Sequence, residues 1–462
     1  METSKKREIL TGPIRQVLFR LSLPLIFSNI VATLYSLADG VWLAQLSYAE
    51  FAATSLTWPI LFLFISISIG ISVAGTSIIS QMIGANRKEE ASKYANNLIV
   101  ISIITGIIFS ILGYFSADFI IGLMGAEGEL YHYSVIYLKV NAAAFVVDNL
   151  YFAFQSILNA QGKTKETTAM GFISGILNIV LDPVFIFVSI PFINLPGFGF
   201  GVAGAAIATI LAKIVAVIIG AVAIIKDKSD VEVSLANLKP DKKYVRNLFR
   251  LAIPTAIGRS SAALGFSVMN AVIVSFGQEV VAGFSMVNRT TDFWMQISAG
   301  IGSAMVAMIG QNMGAHQYKR ARQVVKEAVK IVMISSFVGM IMLYFFRNPL
   351  LRIFVDPEVD TVVYNIALDY LVPIGILNVP FMGLFNVYQS LFQGTGQMKY
   401  SMHMSTGRLW VIRVPFVLFM MKFTEVGMSS IWYGMILSNV LIVLYSYYIY
   451  RSRLIIPHEE TR

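Results

Sequence analysis

Apolar residues run in long blocks along the whole chain, and polar residues gather in short clusters between them. Twelve blocks reach or approach the roughly 20 residues that cross ~30 Å of hydrocarbon as a helix. They are 14–45, 51–83, 94–121, 131–160, 166–190, 201–225, 244–276, 280–313, 323–347, 359–393, 399–421 and 426–450. Several are longer than one crossing needs, which predicts tilted or kinked helices that project past the membrane. Pro24, Pro183, Pro254, Pro380 and Pro415 lie inside blocks. Each removes a backbone hydrogen bond and invites a bend. The expected fold class is all-α integral membrane, with twelve transmembrane helices. The basic start Lys5-Lys6-Arg7 leads into a long span without a small-residue cleavage site, so no cleavable signal peptide is expected.

The blocks repeat. Leu21-Ser22-Leu23-Pro24 opens the first span, and Leu251-Ala252-Ile253-Pro254 opens the seventh. Gln81-Met82-Ile83-Gly84-Ala85 closes the second, and Gln311-Asn312-Met313-Gly314-Ala315 closes the eighth at the same offset. Gln155-Ser156 with Gly162 and Lys165 recurs as Gln389-Ser390 with Gly396 and Lys399, at an offset only slightly larger. The pattern predicts an N-terminal six-helix lobe (1–225), a linker (226–243) and a C-terminal six-helix lobe (244–462). Six is even, so both lobes run the same way and their pseudo-twofold lies along the membrane normal. Chains built in this way place a substrate between the lobes and rock them.

Composition and charge sharpen this. Charged residues are 13% and AVILMFWYC residues 56%, with mean hydropathy +0.70, so a soluble fold could not cover its apolar side chains. Cysteine is absent, which excludes thiol catalysis, disulfides and cysteine metal sites. Four histidines without HExxH pairing leave little basis for a metal enzyme. Of 35 Lys and Arg, 26 fall in loops on one side of the predicted topology, and the opposite loops hold only Arg347, Arg352 and Lys422. The positive-inside rule then makes both termini and the 226–243 linker cytoplasmic in a multi-pass protein of the cell membrane. The net charge of +9 is topology, with contact to membrane lipid, and no nucleic acid is expected.

Polar side chains at membrane depth are the candidate chemistry. Tyr35 and Asp39 stand at i,i+4 in span one, and Asn178 and Asp182 at i,i+4 in span five. Span four carries Tyr137, Asn141, Asp148, Gln155 and Asn159 with gaps of 4, 7, 7 and 4, a stripe on one helical face. Span six carries Thr209. Asp39, Asp182, Tyr137 and Thr209 all fall in the outer half of their spans. For Asn141, Gln155 and Asn159 the simpler reading is glue between helices; the other is a substrate cavity. For Asp39 and Asp182 the functional reading comes first, because a buried acid without a basic neighbour must be protonated or bind a cation. Lys139 and Lys213 are the bases within the first-half spans, and Asp148 either pairs with one or lines the cavity. The second half carries Arg259, Arg289, Arg408 and Arg413 against Asp292 and Asp369. Arg289 and Asp292, at i,i+3, are expected to pair, and the other arginines could meet anionic substrate groups.

These residues resemble the multidrug and toxic compound extrusion family nearly end to end. The resemblance rests on Thr11-Gly12-Pro13, Pro24, Ala38-Asp39, Gln81-Met82-Ile83-Gly84, Asn178-Ile179-Val180-Leu181-Asp182-Pro183 and Gly201-Val202-Ala203-Gly204-Ala205-Ala206-Ile207-Ala208-Thr209. It implies secondary active export of amphipathic, often cationic compounds by alternating access, against inward H⁺ or Na⁺, with no other cofactor. Within the family the chain looks like the DinF-like branch. That branch implies that Asp39, Asp182, Asn178 and Thr209 carry the coupling ion, including Na⁺ where Na⁺ is the ion; Tyr137 joins them by depth. The NorM-like branch has acids in spans seven and ten, and the stretches around Ala262 and Met382 lack them.

The nearest rival is a lipid-linked saccharide flippase of the same superfamily, which would want a cationic cavity. A membrane-embedded enzyme is disfavoured, because no HExxH, GxSxG or paired-acid motif sits at a membrane face. A channel is a third class, against which the two-lobe repeat argues. The partners expected are small drug-like molecules, and the chain is expected to act as a monomer. Pro24 is the expected conformational hinge: it sits about four turns from Asp39, so span one can have straight and bent forms of similar energy.

Overall fold

The computed structural model describes residues 5–191, 195–227, 230–234, 238–355, 357–452 and 455–457. Residues 228–229 and 235–237 of the linker lie outside them. Among the described residues one isolated bridge, Ser189 to Pro196, is the only β-structure, and the rest is helix and connection. The first half holds α1 (Lys5–Thr11), α2 (Ile14–Ala44), α3 (Tyr48–Gly84), α4 (Lys88–Leu123), α5 (Gly128–Ala143), α6 (Phe145–Ala160), α7 (Thr164–Ile186) and α8 (Gly201–Lys226). The second holds α9 (Lys242–Val274), α10 (Gln278–Gly314), α11 (Tyr318–Phe345), α12 (Arg347–Arg352), α13 (Thr361–Tyr370), α14 (Val379–Gly394), α15 (Met398–Thr406), α16 (Val414–Phe423) and α17 (Ser429–Arg451). Among the described residues ten helical runs are long and apolar enough to cross a membrane. The bent pair α5–α6 supplies an eleventh, and the interrupted run from α13 to α14 takes the place of the twelfth. The twelve-span, all-α reading therefore stands.

The helices are built for lipid on one side and for small-residue packing on the other. In α4 the exposed row is Ile104, Ile107, Ile111, Phe115 and Phe119, at helical spacing. Its buried row includes Leu98, Ser102, Thr105, Gly113, Ala117 and Ile121. A helix that is apolar all round belongs in a bilayer, and small residues let neighbouring backbones approach. Gly106 shows how close. A Cβ there would lie 2.6 Å from Val146 Cα, so α4 presses directly on the junction of α5 and α6.

That junction corrects the sequence reading. Span four is not one straight helix. It bends by 47° between α5 and α6, with Ala144 at φ −104° and ψ 5°, so the polar stripe is divided. Tyr137 and Asn141 sit on α5, and Asp148, Gln155 and Asn159 on α6. Two further breaks come in the second half. Leu371–Ile376 and Gly407–Arg413 are π-helical. Pro380 and Pro415 then stand in the first turn of α14 and α16, where a missing N–H does no harm.

The chain divides into two compact units. The first comprises residues 1–8 and 27–256, the second residues 9–26 and 257–462. The leading part of α2 thus belongs with the second half, and the leading part of α9 with the first. The packing says why. A Cβ on Gly300 would lie 2.8 Å from Ile26 N, and one on Gly70 would lie 2.9 Å from both Ala252 O and Ala256 N. Gly70 and Gly300 are separated by the same offset as Ile26 and Ala256, and it is the offset of the sequence repeat. The repeat extends to the backbone. Asn86 (φ 61°) and His316 (φ 57°) hold the left-handed region that side chains rarely adopt, and Gly162 (φ 74°) and Gly396 (φ 75°) do likewise. In the second unit the Arg320 guanidinium donates to the carbonyls of Ile9 and Gly12 and ties down the segment before α2.

Candidate ion and substrate sites

The acidic site is assembled by two local devices. The first is the tight return from α7 to α8. Phe198, Gly199 and Phe200 donate their N–H groups to the carbonyls of Val184, Phe187 and Phe185. A Cβ on Gly197 or Gly204 would collide with the carbonyl oxygen of Phe187 or Phe185, so only glycine fits. Glu50 accepts from Val202 N at 3.1 Å, a carboxylate at the start of α8 where the helix dipole favours it. The hairpin lays α8 beside α7 and brings Thr209 opposite Asn178.

The second device is a glycine row on α7. A Cβ on Gly171 would collide with Ser28 Oγ, and one on Gly175 would meet Val31 Cγ1 at 3.0 Å and Tyr35 Cδ1 at 3.3 Å. The trailing part of α2 therefore runs against α7. The offset in number from Ser28 to Gly171 equals that from Asp39 to Asp182. The shared offset puts the two acids level, and they lie within electrostatic reach of each other.

Asn178 Nδ2 donates to Asp182 Oδ1 at 2.9 Å and to Thr209 Oγ1 at 3.1 Å. Asn178 and Asp182 are buried, at 2% and 0% exposure. Asp39 Oδ1, Asp182 Oδ2 and Asn178 Oδ1 are sealed from solvent and accept no hydrogen bond. Tyr137 stands within electrostatic reach of both acids. The result is a buried set of oxygens with free lone pairs and, among the described residues, no cationic side chain beside them, a set suited to a proton or a hard monovalent ion. No cluster of three or more His, Cys, Asp or Glu that would suit a metal occurs among the described residues, so the set is two carboxylates extended by an amide and a hydroxyl.

The remaining first-half candidates divide into separate groups. Asp148 forms an ion pair with Lys213, the first of the two readings open for it, and the pair is only partly buried. Lys139 pairs with Asp118 at 2.6 Å, away from the acids. Tyr35 and Tyr151 lie within electrostatic reach of one another, and Gln155 Nε2 donates to Tyr151 Oη at 3.5 Å. Asn141 Nδ2 donates to Tyr137 O at 2.8 Å within α5, and Thr167 Oγ1 donates to Asn159 Oδ1 at 2.9 Å, which links α7 to α6. Sequence reasoning missed Asn149. It donates to Ser102 O and Thr105 Oγ1 at 3.2 and 3.0 Å and accepts from Ser68. The only signal was an amide-bearing residue directly after Asp148.

The second unit is opposite in sign. Arg408 and Arg413 are buried, at 5% and 3% exposure, at the two ends of the π-helical segment. Arg413 donates to Ser438 Oγ at 3.0 Å and Asn439 Oδ1 at 3.1 Å, and Asn439 Nδ2 reaches Asn378 Oδ1 at 2.7 Å. Arg408 lies over the Phe385 ring at 4.3 Å and the Phe266 ring at 5.7 Å, with Nη1 3.2 Å from Met382 Sδ. The Nε–H groups of Arg408 and Arg259 are both buried without an acceptor. The expected Arg289–Asp292 pair does not form: both are exposed, and the guanidinium acts on the carboxylate only at a distance. Asp369 is exposed too.

The MatE family profile matches residues 24–184 and 254–419. A probable multidrug resistance protein of Bacillus subtilis, YoeA, is 24% identical over 437 residues, covering 92% of this chain and 91% of that one. A protein of Shewanella oneidensis named FAD transporter is 27% identical over 355 residues, covering 76% and 77%. An outward-facing structure of a multidrug resistance MATE family transporter of the MOP superfamily superimposes with a TM-score of 0.90 at 25% identity, covering 98% of each chain.

Proposed function

The chain belongs to the MatE family, and on that premise we propose that it exports amphipathic organic compounds, many of them cationic, by antiport against inward H⁺ or Na⁺. It is a multi-pass membrane protein and a multidrug transporter by kinship. The relatives do not favour a lipid-linked saccharide flippase. One relative is named a FAD transporter, so a cationic cargo does not follow from kinship alone.

The observation that carries the coupling is the oxygen set around Asp182. A buried, unpaired carboxylate costs several kcal/mol in a membrane unless it is neutralised. Asp39 and Asp182 have no basic partner among the described residues. Neutralisation must come from a bound proton or cation, held by Asp39, Asp182, Asn178 and Thr209 with Tyr137 beside them. This is the donor set of the DinF-like branch, where we place the chain. Tyr35, one turn from Asp39 on the same face of α2, would line the substrate path with Asn141, Asp148, Gln155 and Asn159.

Pro24 supplies the conformational link. Helix α2 passes from the second compact unit to the first between Ile26 and Phe27, just beyond Pro24. A helix that lacks a hydrogen bond just where its packing changes can bend there. Charged Asp39 favours water or a cationic compound; neutralised Asp39 can hydrogen-bond to neighbouring helices. Ion and substrate then compete through one two-state element. The basic loops place both termini in the cytoplasm, and the functional unit is a monomer among lipids.

The test is efflux of a fluorescent cationic dye from vesicles of the purified protein, under a pH gradient alone and a Na⁺ gradient alone. Efflux that needs one of the two supports the reading. Equal dye movement with no gradient points to a channel and removes it.

A further inference from the structure

The second unit buries guanidinium groups that its own residues leave unfinished. An arginine stays protonated in a protein, so it cannot escape burial by losing its charge. Arg413 is provided for: Ser438 and Asn439 accept from it. Arg408 is not. Its guanidinium is flanked by two aromatic rings and a thioether, and its Nε–H has no acceptor. Rings and sulfur ease the desolvation of a cation but leave its in-plane Nε–H unanswered. No carboxylate pairs with Arg259, Arg408 or Arg413 among the described residues.

Arg259 stands on the same side of one helix contact. Helix α9 packs against α15 and the π-helical segment along a row of near-contacts. A Cβ on Gly258 would lie 3.0 Å from Met402 Cα, Trp410 Nε1 donates to Ser261 O at 2.8 Å, and a Cβ on Gly265 would lie 2.9 Å from Leu409 Cβ. Arg259 and Phe266 each directly follow a glycine of this row. They stand at i and i+7, hence two turns along one flank of α9 and about 10 Å along its axis. Phe266 is the ring that Arg408 touches. Two buried Nε–H donors therefore share one flank, on elements that pack together, with aromatic surface between them. Arg408 also sits in a π-helical segment, a distortion that recurs at binding sites.

We propose that Arg408 and Arg259 bind the anionic group, a carboxylate or phosphate, of an aromatic cargo whose apolar body lies over Phe266, Phe385 and Met382. Planar oxyanions match the guanidinium fork, and the rings and Met382 suit a flat apolar body. The proposal deepens the export reading by naming a cargo class. The first unit would take the ion and the second the negative end of the compound.

The test is fluorescence titration of the full chain in neutral detergent with dansylglycine, an aromatic carboxylate, and with its neutral amide. The carboxylate should bind about tenfold more tightly, a difference that one charge-assisted contact supplies. Arg408→Gln and Arg259→Gln should each bring the ratio close to one, and Lys326→Gln, an equal charge change on an exposed side chain, should leave it intact. Arg408→Met separates binding from folding. An unpaired buried charge replaced by an apolar side chain of similar size is neutral or stabilising, so this variant should melt at or above the wild-type temperature while losing the preference. Equal binding of acid and amide by the wild type overturns the proposal. So does a lower melting temperature in Arg408→Met with the preference retained, which makes Arg408 structural. Displacement of dansylglycine by phosphatidylglycerol but not by naphthyl phosphate also overturns it, because the site then belongs to lipid. No gradient is needed for this binding. A chain that prefers the carboxylate yet exports nothing refutes the export reading alone.

Discussion

Both units share a scaffold and differ in the sign of what they bury. Among the described residues the first encloses Asp39 and Asp182 without a base. The second encloses Arg408 and Arg413, among the described residues, without an acid. Yet Gly70 and Gly300 make equivalent close approaches, and Asn86 and His316 hold the same left-handed turn. Packing and turn chemistry are therefore duplicated while the buried charge is free to diverge. The two signs also behave differently. A carboxylate can neutralise itself by taking a proton, whereas a guanidinium cannot release one at ordinary pH. The acidic interior can cycle with ion supply, and the basic interior must be answered by an anion, by rings or by dipoles.

The largest effect expected from breaking this contrast is on the acidic side. Asp182→Asn and Asp39→Asn should each reduce gradient-driven efflux to background while the protein still folds, because an amide cannot cycle a proton and binds a hard cation weakly. Efflux from vesicles, with melting temperature as the folding control, checks this. Next comes the comparison of the two leading helices. Pro24→Ala should remove most transport, roughly tenfold, and substrate binding should lose its dependence on pH or Na⁺. Pro254→Ala should cost less, since no acid follows on α9. If Pro24→Ala exports normally, the bending of α2 is not part of the cycle, though the roles of Asp39 and Asp182 stand.

The shared features should fail alike. Gly70→Ala and Gly300→Ala each force a Cβ against backbone atoms at 2.9 and 2.8 Å. Overpacking of this kind costs ~1–3 kcal/mol, and both variants should melt several degrees lower. Smallest is the turn. Asn86→Val and His316→Val put a β-branched residue in the left-handed region, at about 1–2 kcal/mol each. Two closely similar shifts by thermal unfolding would confirm that this turn is a structural repeat; a large effect at only one would tie that residue to function.

Much of this architecture is legible in the amino-acid order because lipid leaves few options. Twelve apolar blocks and a nearly constant offset between their landmarks required no tertiary knowledge. Asp39 and Asp182 stood out because unpaired acids are rare at membrane depth. Other features depend on distant partners. The bend at Ala144 has no proline or glycine within it and rests beside Gly106 of α4, a separate span. The pairing of Asp148 with Lys213 links α6 to α8. The exchange of leading helix segments turns on Gly70 and Gly300, which look ordinary in an apolar span. Of the π-helical segments, the first carries Pro373 within it and Pro380 after it, and the second is announced only by Pro415, which follows it.

The central claim is that the first unit's carboxylates hold an ion that substrate displaces. It is tested most directly by adding a cationic dye to purified protein in weak buffer and recording proton release, with loss of bound ²²Na⁺ followed in parallel. The account predicts release of one of the two ions from the wild type and none from Asp182→Asn. Dye binding without release of either ion, or equal release from Asp182→Asn, would contradict it.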